Sequence, residues 1–409
     1  MMLSTLNILL GLAATALALV TLSFALQAAA MIFLHDRPFL LLPRRPSVAI
    51  LVPAHDEEQN IEATLLRIRQ DLAPGDRLLV VADNCSDRTA PLAARAGAEI
   101  LVRSNPERRG KGFALAAGLR HLTATPPEVV VFIDADCQIN RHGIDLLARA
   151  CATADSPIQC LDLMVAHPDS PGAPRLAEFA WRIKNDFRPN GYARLGLPCQ
   201  LRGTGMAVPW AQINPDLFAT ELLAEDIFLG LELAIQGHPA RFFRGARVTS
   251  YFPDTQSGQV QQKHRWVQGH LGLIRSHLPR LIFQAWKKRD LRLLALAADL
   301  AVPPLGMLAI ADMVLLAVSL LYLAAVGIRA PLACSAFELA VFAFPLVSAW
   351  YVSGRDLIGF REVAQVPRHM IMVMRTALAL ARGDRTQWVR ADRPRTTPQF
   401  IRHMRHTRH

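Results

Sequence analysis

The hydrophobic pattern of this chain changes period three times. Residues 1–34 carry no charge, and 6–34 exceed the ~20 apolar residues that cross a bilayer. The segment lacks the basic leader and short apolar core of a cleaved signal peptide, so residues 1–36 are expected to be a membrane anchor. From Val48 the pattern shifts to short apolar runs separated by amphipathic stretches. Residues 48–53, rich in β-branched side chains, predict a buried parallel strand. Residues 57–71 place Ile61, Leu65 and Ile68 on one helical face, and Pro74-Gly75-Asp76 is a turn. Strands are expected at 77–82, 99–103 and 128–133, and helices at 90–96 and 111–122. Near the C-terminus, 305–328 and 331–352 are apolar apart from Asp312 and Glu338, with Arg329 in the short linker. They predict a membrane hairpin whose two acids face protein or the interface.

Beyond the hairpin, residues 357–382 intersperse Ile358, Val363, Val366, Met370 and Met374 with Arg361, Arg368 and Arg375. This predicts amphipathic helices at the membrane interface. The expected domains are 1–36 (anchor), 46–290 (α/β), 291–355 (hairpin) and 356–409 (interface helices and a basic tail). Strands alternating with helices imply a doubly wound, mostly parallel α/β sheet, which binds ligands at the carboxyl ends of its strands. Asp83, Asp134 and Asp136 stand at such ends, which predicts a site there without reference to any family.

Composition narrows the setting. The net charge of +11 suits anionic substrates and an anionic membrane surface. No basic run interleaved with aromatics occurs in the middle section, so nucleic acid is not an expected partner. Arg37, Arg44, Arg45 and the Arg-rich tail place residues 36–290 and the tail in the cytoplasm, with the N-terminus outside. The six cysteines form no CxxC pair and read as free thiols of a reducing compartment.

Nucleotide motifs discriminate further. In a P-loop frame around Lys111, Asn105 takes the place of the first glycine and Gly112 that of the Ser/Thr. In a GxGxxG frame starting at Gly203-Thr204-Gly205, Val208 stands where the third glycine belongs. A metal-assisted diphosphate site remains: carboxylates one residue apart at a strand end, as in Asp134-Ala135-Asp136, supply hard oxygen ligands to Mg²⁺ or Mn²⁺. A solvated turn explains such a pair equally well.

Residues 48–266 resemble a membrane-bound family-2 glycosyltransferase of the GT-A fold. The likeness lies in Val52-Pro53-Ala54-His55-Asp56-Glu57-Glu58, Val81-Ala82-Asp83-Asn84-Cys85-Ser86-Asp87, Arg109-Gly110-Lys111-Gly112, Asp134-Ala135-Asp136, Glu225-Asp226 and the QxxRW set Gln262, Arg265 and Trp266. QxxRW is shared with cellulose, chitin and hyaluronan synthases and related exopolysaccharide enzymes. The resemblance implies that Asp83, Lys111, Asp134 and Arg265 bind the nucleotide sugar, while Asp134 and Asp136 hold the metal. It implies Asp226 as the general base with Glu225 supporting it, and Gly203, Thr204, Gln262 and Trp266 at the acceptor. The expected activity is inverting transfer from a UDP-sugar to a polysaccharide, oligosaccharide or lipid-linked glycan at the cytoplasmic face of the bacterial inner membrane. Three spans are few for a polymer channel, so a homo-oligomer or polysaccharide export partners are further expectations. A polyprenyl-phosphate or ceramide-type lipid glycosyltransferase, or a silent partner of a synthase complex, stands as the alternative.

Overall fold

The computed structural model describes residues 2–166, 175–253 and 255–381. They form two compact units, one of residues 38–166, 199–253 and 255–262, the other of 2–37, 175–198 and 263–381. Residues 175–198 and 263–290, assigned above to the α/β domain, thus group with the apolar helices. The basic tail from 382 onward lies outside the described residues.

The first unit is built on an eight-stranded sheet: β1 Val48–Ala54, β2 Arg77–Asp83, β3 Glu99–Arg103, β4 Val129–Phe132, β5 Gln138–Ile139, β6 Ile158–Val165, β7 Met206–Pro209 and β8 Arg241–Tyr251. Their order is β3-β2-β1-β4-β7-β6-β8-β5. The first four are the strands read from the sequence, and they run parallel, Ile50 lying between Leu78 and Val131. β1 and β4 are covered on both faces, which is why they are apolar, whereas the edge strand β3 is partly exposed and carries Glu99 and Arg103. On one face Ile50, Val80 and Val131 pack with Ile61, Leu65 and Ile68 of the helix Ile61–Arg69. That helix starts later than expected, because Asp56 turns the chain with φ 53° and its carboxylate accepts from the Ser86 N–H at 2.6 Å. On the other face lies the helix Lys111–Leu122. A Cβ on its Gly118 would fall 2.4 Å from Leu51 and 2.9 Å from Val81, so glycine sets this close approach.

The second half of the sheet departs from a purely parallel reading. β7 runs antiparallel to β4 and to β6, and β5 antiparallel to β8, while β6 and β8 are parallel. Reversal at β7 has a functional consequence. Phe132, which ends β4, pairs with Met206, which begins β7, so the residues before Met206 lie beside those after Phe132.

In the second unit three helices are long and apolar enough to cross a membrane: Ile8–Phe33, Leu305–Val326 and Ala330–Ser353. Phe24, Ala28, Leu308 and Phe342 pack together with Ile183 and Phe187, which belong to a π-helical turn, Ile183–Phe187, between the helices Arg175–Arg182 and Arg188–Leu195. Asp312 and Glu338 are buried among the helices at 1% and 3% exposure, as the cost of a carboxylate in lipid requires. Beyond the last of them come the helices Phe360–Ala364 and Val366–Ala381.

A buried polar triad ties the N-terminal helix to the segments the sequence left unread. Arg188 donates to Gln27 Oε1 at 2.8 Å and to Asp299 Oδ1 at 2.6 Å, and Gln27 Nε2 donates to the same Asp299 oxygen at 2.8 Å. A Cβ on Gly191 would lie 2.2 Å from the Gln27 carbonyl oxygen, so this crossing admits no side chain. Removing one partner of a buried ion pair strands the other's charge. Asp299→Ala is therefore expected to cost roughly 3 kcal/mol, and adding Arg188→Met to recover part of it. Thermal melts of the two variants in detergent check the order.

Candidate active site

Asp134 and Asp136 lie in the turn beyond β4, which the Cys137 N–H closes onto the Asp134 carbonyl at 3.0 Å. Ligand atoms of Asp134, Asp136 and Cys137 all lie within 4.8 Å of one another. The reversal at β7 braces this turn with Gly203-Thr204-Gly205. The Asp134 N–H donates to Thr204 Oγ1 at 3.1 Å, the Gly205 N–H donates to the Phe132 carbonyl at 2.9 Å, and Gln159 Nε2 donates to the Thr204 carbonyl at 2.9 Å. Gly205 has φ 62°, and a Cβ there would meet Cys160 Sγ at 2.3 Å. Only glycine serves at that position.

Lys111 is the first residue of its helix, following Gly110 at φ 125°. A cation opposes the helix dipole at this position. Acids offset that: Lys111 Nζ lies 2.5 Å from Asp134 Oδ1 and donates to the Gly203 carbonyl at 2.8 Å. Burial alone would lower the ammonium's pKa, but Asp134, Glu225 and Asp226 together raise it, so the lysine stays charged. The start of this helix is pinned in turn, since a Cβ on Gly112 would lie 2.4 Å from the Phe218 carbonyl oxygen and 2.9 Å from that of Thr220.

Glu225 and Asp226 open the helix Glu225–Ile235, where negative charge is favoured. Asp226 Oδ1 accepts the Ile227 N–H at 2.8 Å. Its Oδ2 lies 3.2 Å from the point where a Cβ on Gly203 would stand, and Lys111 Nζ lies 3.0 Å from that point. Burial and the neighbouring Asp226 push Glu225 up to about 7. Lys111, Asp134, Gly203, Glu225 and Asp226 thus form one electrostatic cluster, with Asp136 and Thr204 adjoining it.

The other expected residues are placed as follows. Asp83 ends β2, is buried, and its carboxylate is ion-paired with Arg103, its cross-strand neighbour. Gln262 is buried on the helix Gln256–Lys288, and its Nε2 has no hydrogen-bond partner among the described residues. Arg265 and Trp266 follow on that helix in the second unit, where the Trp266 ring packs on Trp181 with centroids 4.7 Å apart. Arg103 and Gln159 were missed. An arginine at the end of the short β3, opposite the end of β2 where Asp83 stands, is a signal for the first, whereas Gln159 inside β6 gives none.

The donor set fits a hard divalent cation. Asp134 and Asp136 offer carboxylate oxygens, whereas burial first and Asp134 second raise the Cys137 thiol well above its ordinary value, so no thiolate is offered to a softer metal.

The fold is that of the GT-A glycosyltransferases. It resembles the mannosyltransferase PcManGT from Pyrobaculum calidifontis, solved in complex with GDP-Man and Mn2+, with a TM-score of 0.50 at 18% identity over 84% of this chain and 100% of that one. Residues 43–269 match the model of the family described as Glycosyltransferase like family 2, and the chain belongs to that family. It is 41% identical over 90 residues to an uncharacterized glycosyltransferase of Mycobacterium tuberculosis, covering 22% of this chain and 37% of the relative. To the poly-beta-1,6-N-acetyl-D-glucosamine synthase of Staphylococcus aureus it is 21% identical over 254 residues, 58% of this chain and 57% of the relative. In both cases the match spans less than two thirds of the relative's own length.

The raised Glu225 carboxyl makes a pH signature. A carboxyl titrating near 7 in the fold, above its ordinary range, adds stability that is full at acid pH and lost as pH rises toward 7. Glu225→Gln is expected to flatten that dependence and to melt higher than the wild type above neutrality. Melting curves in chelator across the neutral range check it.

Proposed function

We propose that this protein is an inverting glycosyltransferase. It moves a sugar from a UDP-sugar to a growing polysaccharide or oligosaccharide at the cytoplasmic face of a bacterial inner membrane. The reading is carried by one observation: Asp134 and the Glu225-Asp226 pair, borne on separate segments, converge on Lys111 and Gly203 beside the carboxyl ends of the parallel strands. A silent structural partner has no need to gather mutually repelling acids. The relative named for poly-N-acetylglucosamine synthesis supports a glycan acceptor. Choice of UDP rests on the synthase resemblance of Gln262, Arg265 and Trp266. Three helices able to cross a membrane, with the arginines that flank the first of them, support the membrane setting.

Asp134 and Asp136 would hold Mg²⁺ or Mn²⁺, which supplies Lewis-acid neutralisation of the departing diphosphate. Asp226 accepts the proton of the acceptor hydroxyl as its oxygen attacks the anomeric carbon from the face opposite the diphosphate. One bond forms and the bond to the diphosphate breaks, so configuration inverts and no carboxylate nucleophile is needed. The bond from the Ile227 N–H to Oδ1 fixes the Asp226 carboxylate and leaves Oδ2 for the hydroxyl. Position supplies much of the rate, since a carboxylate is a weak base. Asp83, Lys111 and Arg265 are proposed for the nucleotide sugar, with Glu225 supporting the base. Gly203, Thr204, Gln262 and Trp266 are proposed for the acceptor.

Asp226→Asn is expected to lower kcat by about 10³-fold while leaving donor affinity close to wild type. Asp134→Asn should remove metal-dependent donor binding. Transfer of radiolabel from UDP-sugars by purified membranes reads the product. Water-soluble polymer or oligosaccharide supports the glycan acceptor, and label extracted into organic solvent replaces it with a lipid acceptor. Unchanged transfer by Asp226→Asn removes the base assignment.

A further inference from the structure

We propose that Lys111 is a resident counter-ion that occupies Asp134 until the divalent cation arrives, and so sets how strongly the donor-free enzyme binds metal. The inference rests on the proposed role of Asp134 and Asp136 as ligands. The Lys111 ammonium lies 2.5 Å from Asp134 Oδ1, and the Gly203 carbonyl accepts from it at 2.8 Å. A cation bonded to that carboxylate would share it with a second positive charge at contact distance, and the two repel.

The backbone of Lys111 cannot retreat to relieve this. Its helix start is wedged at Gly112 against the carbonyls of Phe218 and Thr220. The four-carbon stem can still rotate. Acids lie ready on the other side: Glu225 and Asp226 both act on the ammonium, and Asp226 Oδ2 borders the space over Gly203 that Lys111 Nζ also borders. Displacement of the ammonium from Asp134 therefore brings positive charge toward the proposed base pair. Metal arrival and the charge state around the base become linked through one side chain. The position has a local cost, a cation on the first turn of a helix, which the helix alone gives no reason to accept.

Manganese alone, titrated into the full-length protein in detergent without nucleotide and followed by electron paramagnetic resonance of free Mn²⁺, tests the proposal. Lys111→Met is expected to bind Mn²⁺ roughly fivefold tighter than wild type, the worth of a partly exposed ion pair. Lys111→Gln, which keeps a donor for Gly203 without the charge, is expected to tighten binding similarly, and Lys111→Arg to stay near wild type. Both neutral variants should transfer sugar more slowly despite binding metal better, which loss of structure does not produce. Equal or weaker Mn²⁺ binding by the two neutral variants overturns the proposal. Asp134→Asn separates the two layers: if it binds Mn²⁺ as wild type does, the assignment of Asp134 as ligand fails, whatever Lys111 does.

Discussion

Carboxylates gathered at one edge of a sheet repel one another, and each loses hydration as its neighbours close in. Asp134, Glu225 and Asp226 meet that cost through a single ammonium. Lys111 is the shared counter-charge of segments far apart in the chain: the turn after β4, the glycine stretch before β7 and the helix from Glu225. Its own location is fixed by packing, not by charge. Helix Lys111–Leu122 lies on the sheet through Gly118 and meets carbonyls through Gly112, so two missing side chains decide where the positive charge stands. Electrostatics and close packing thus specify the same geometry at this edge.

The second constraint is topological. A wholly parallel sheet would carry the segment before β7 to the opposite edge from the aspartates. Because β7 runs antiparallel to β4, Gly203-Thr204-Gly205 arrives at the carboxyl end of β4 and its hydroxyl and amide groups bond the acidic turn directly. Gly203 and Thr204, read at first as acceptor groups, already have such bonds to make. The Gly203 carbonyl and the Thr204 hydroxyl are spent on Lys111 and Asp134, and the space over the Gly203 Cα is closed by Lys111 Nζ and Asp226 Oδ2.

Much of this was legible in the sequence and some of it was not, for physical reasons. β1, β2 and β4 announced themselves because strands buried on both faces carry continuous apolar runs bounded by turns, and β3 by its apolar core Ile100-Leu101-Val102. The strand-end aspartates followed from the same pattern. β7 has only four residues, Met206–Pro209, and β6 and β8 shift register at Cys160/Leu161, so neither period nor length marked them. The segment with Arg188, Asn190 and Tyr192 reads as polar, yet all three are buried, Arg188 on Gln27 and Asp299 and Tyr192 on Ser23 and the Ala295 carbonyl. Gln27, Arg188 and Asp299 stand far apart in the sequence, and only the fold brings them together.

Charge also separates the two carboxylates of the Glu225-Asp226 pair, which the sequence treats alike. Asp226 keeps one oxygen on the Ile227 N–H. Burial and the charge of Asp226 hold Glu225 near neutrality, so it is the member whose charge changes within the ordinary working range. Removal of a proton from Glu225 adds negative charge next to Asp226, and the Lys111 ammonium offsets part of it.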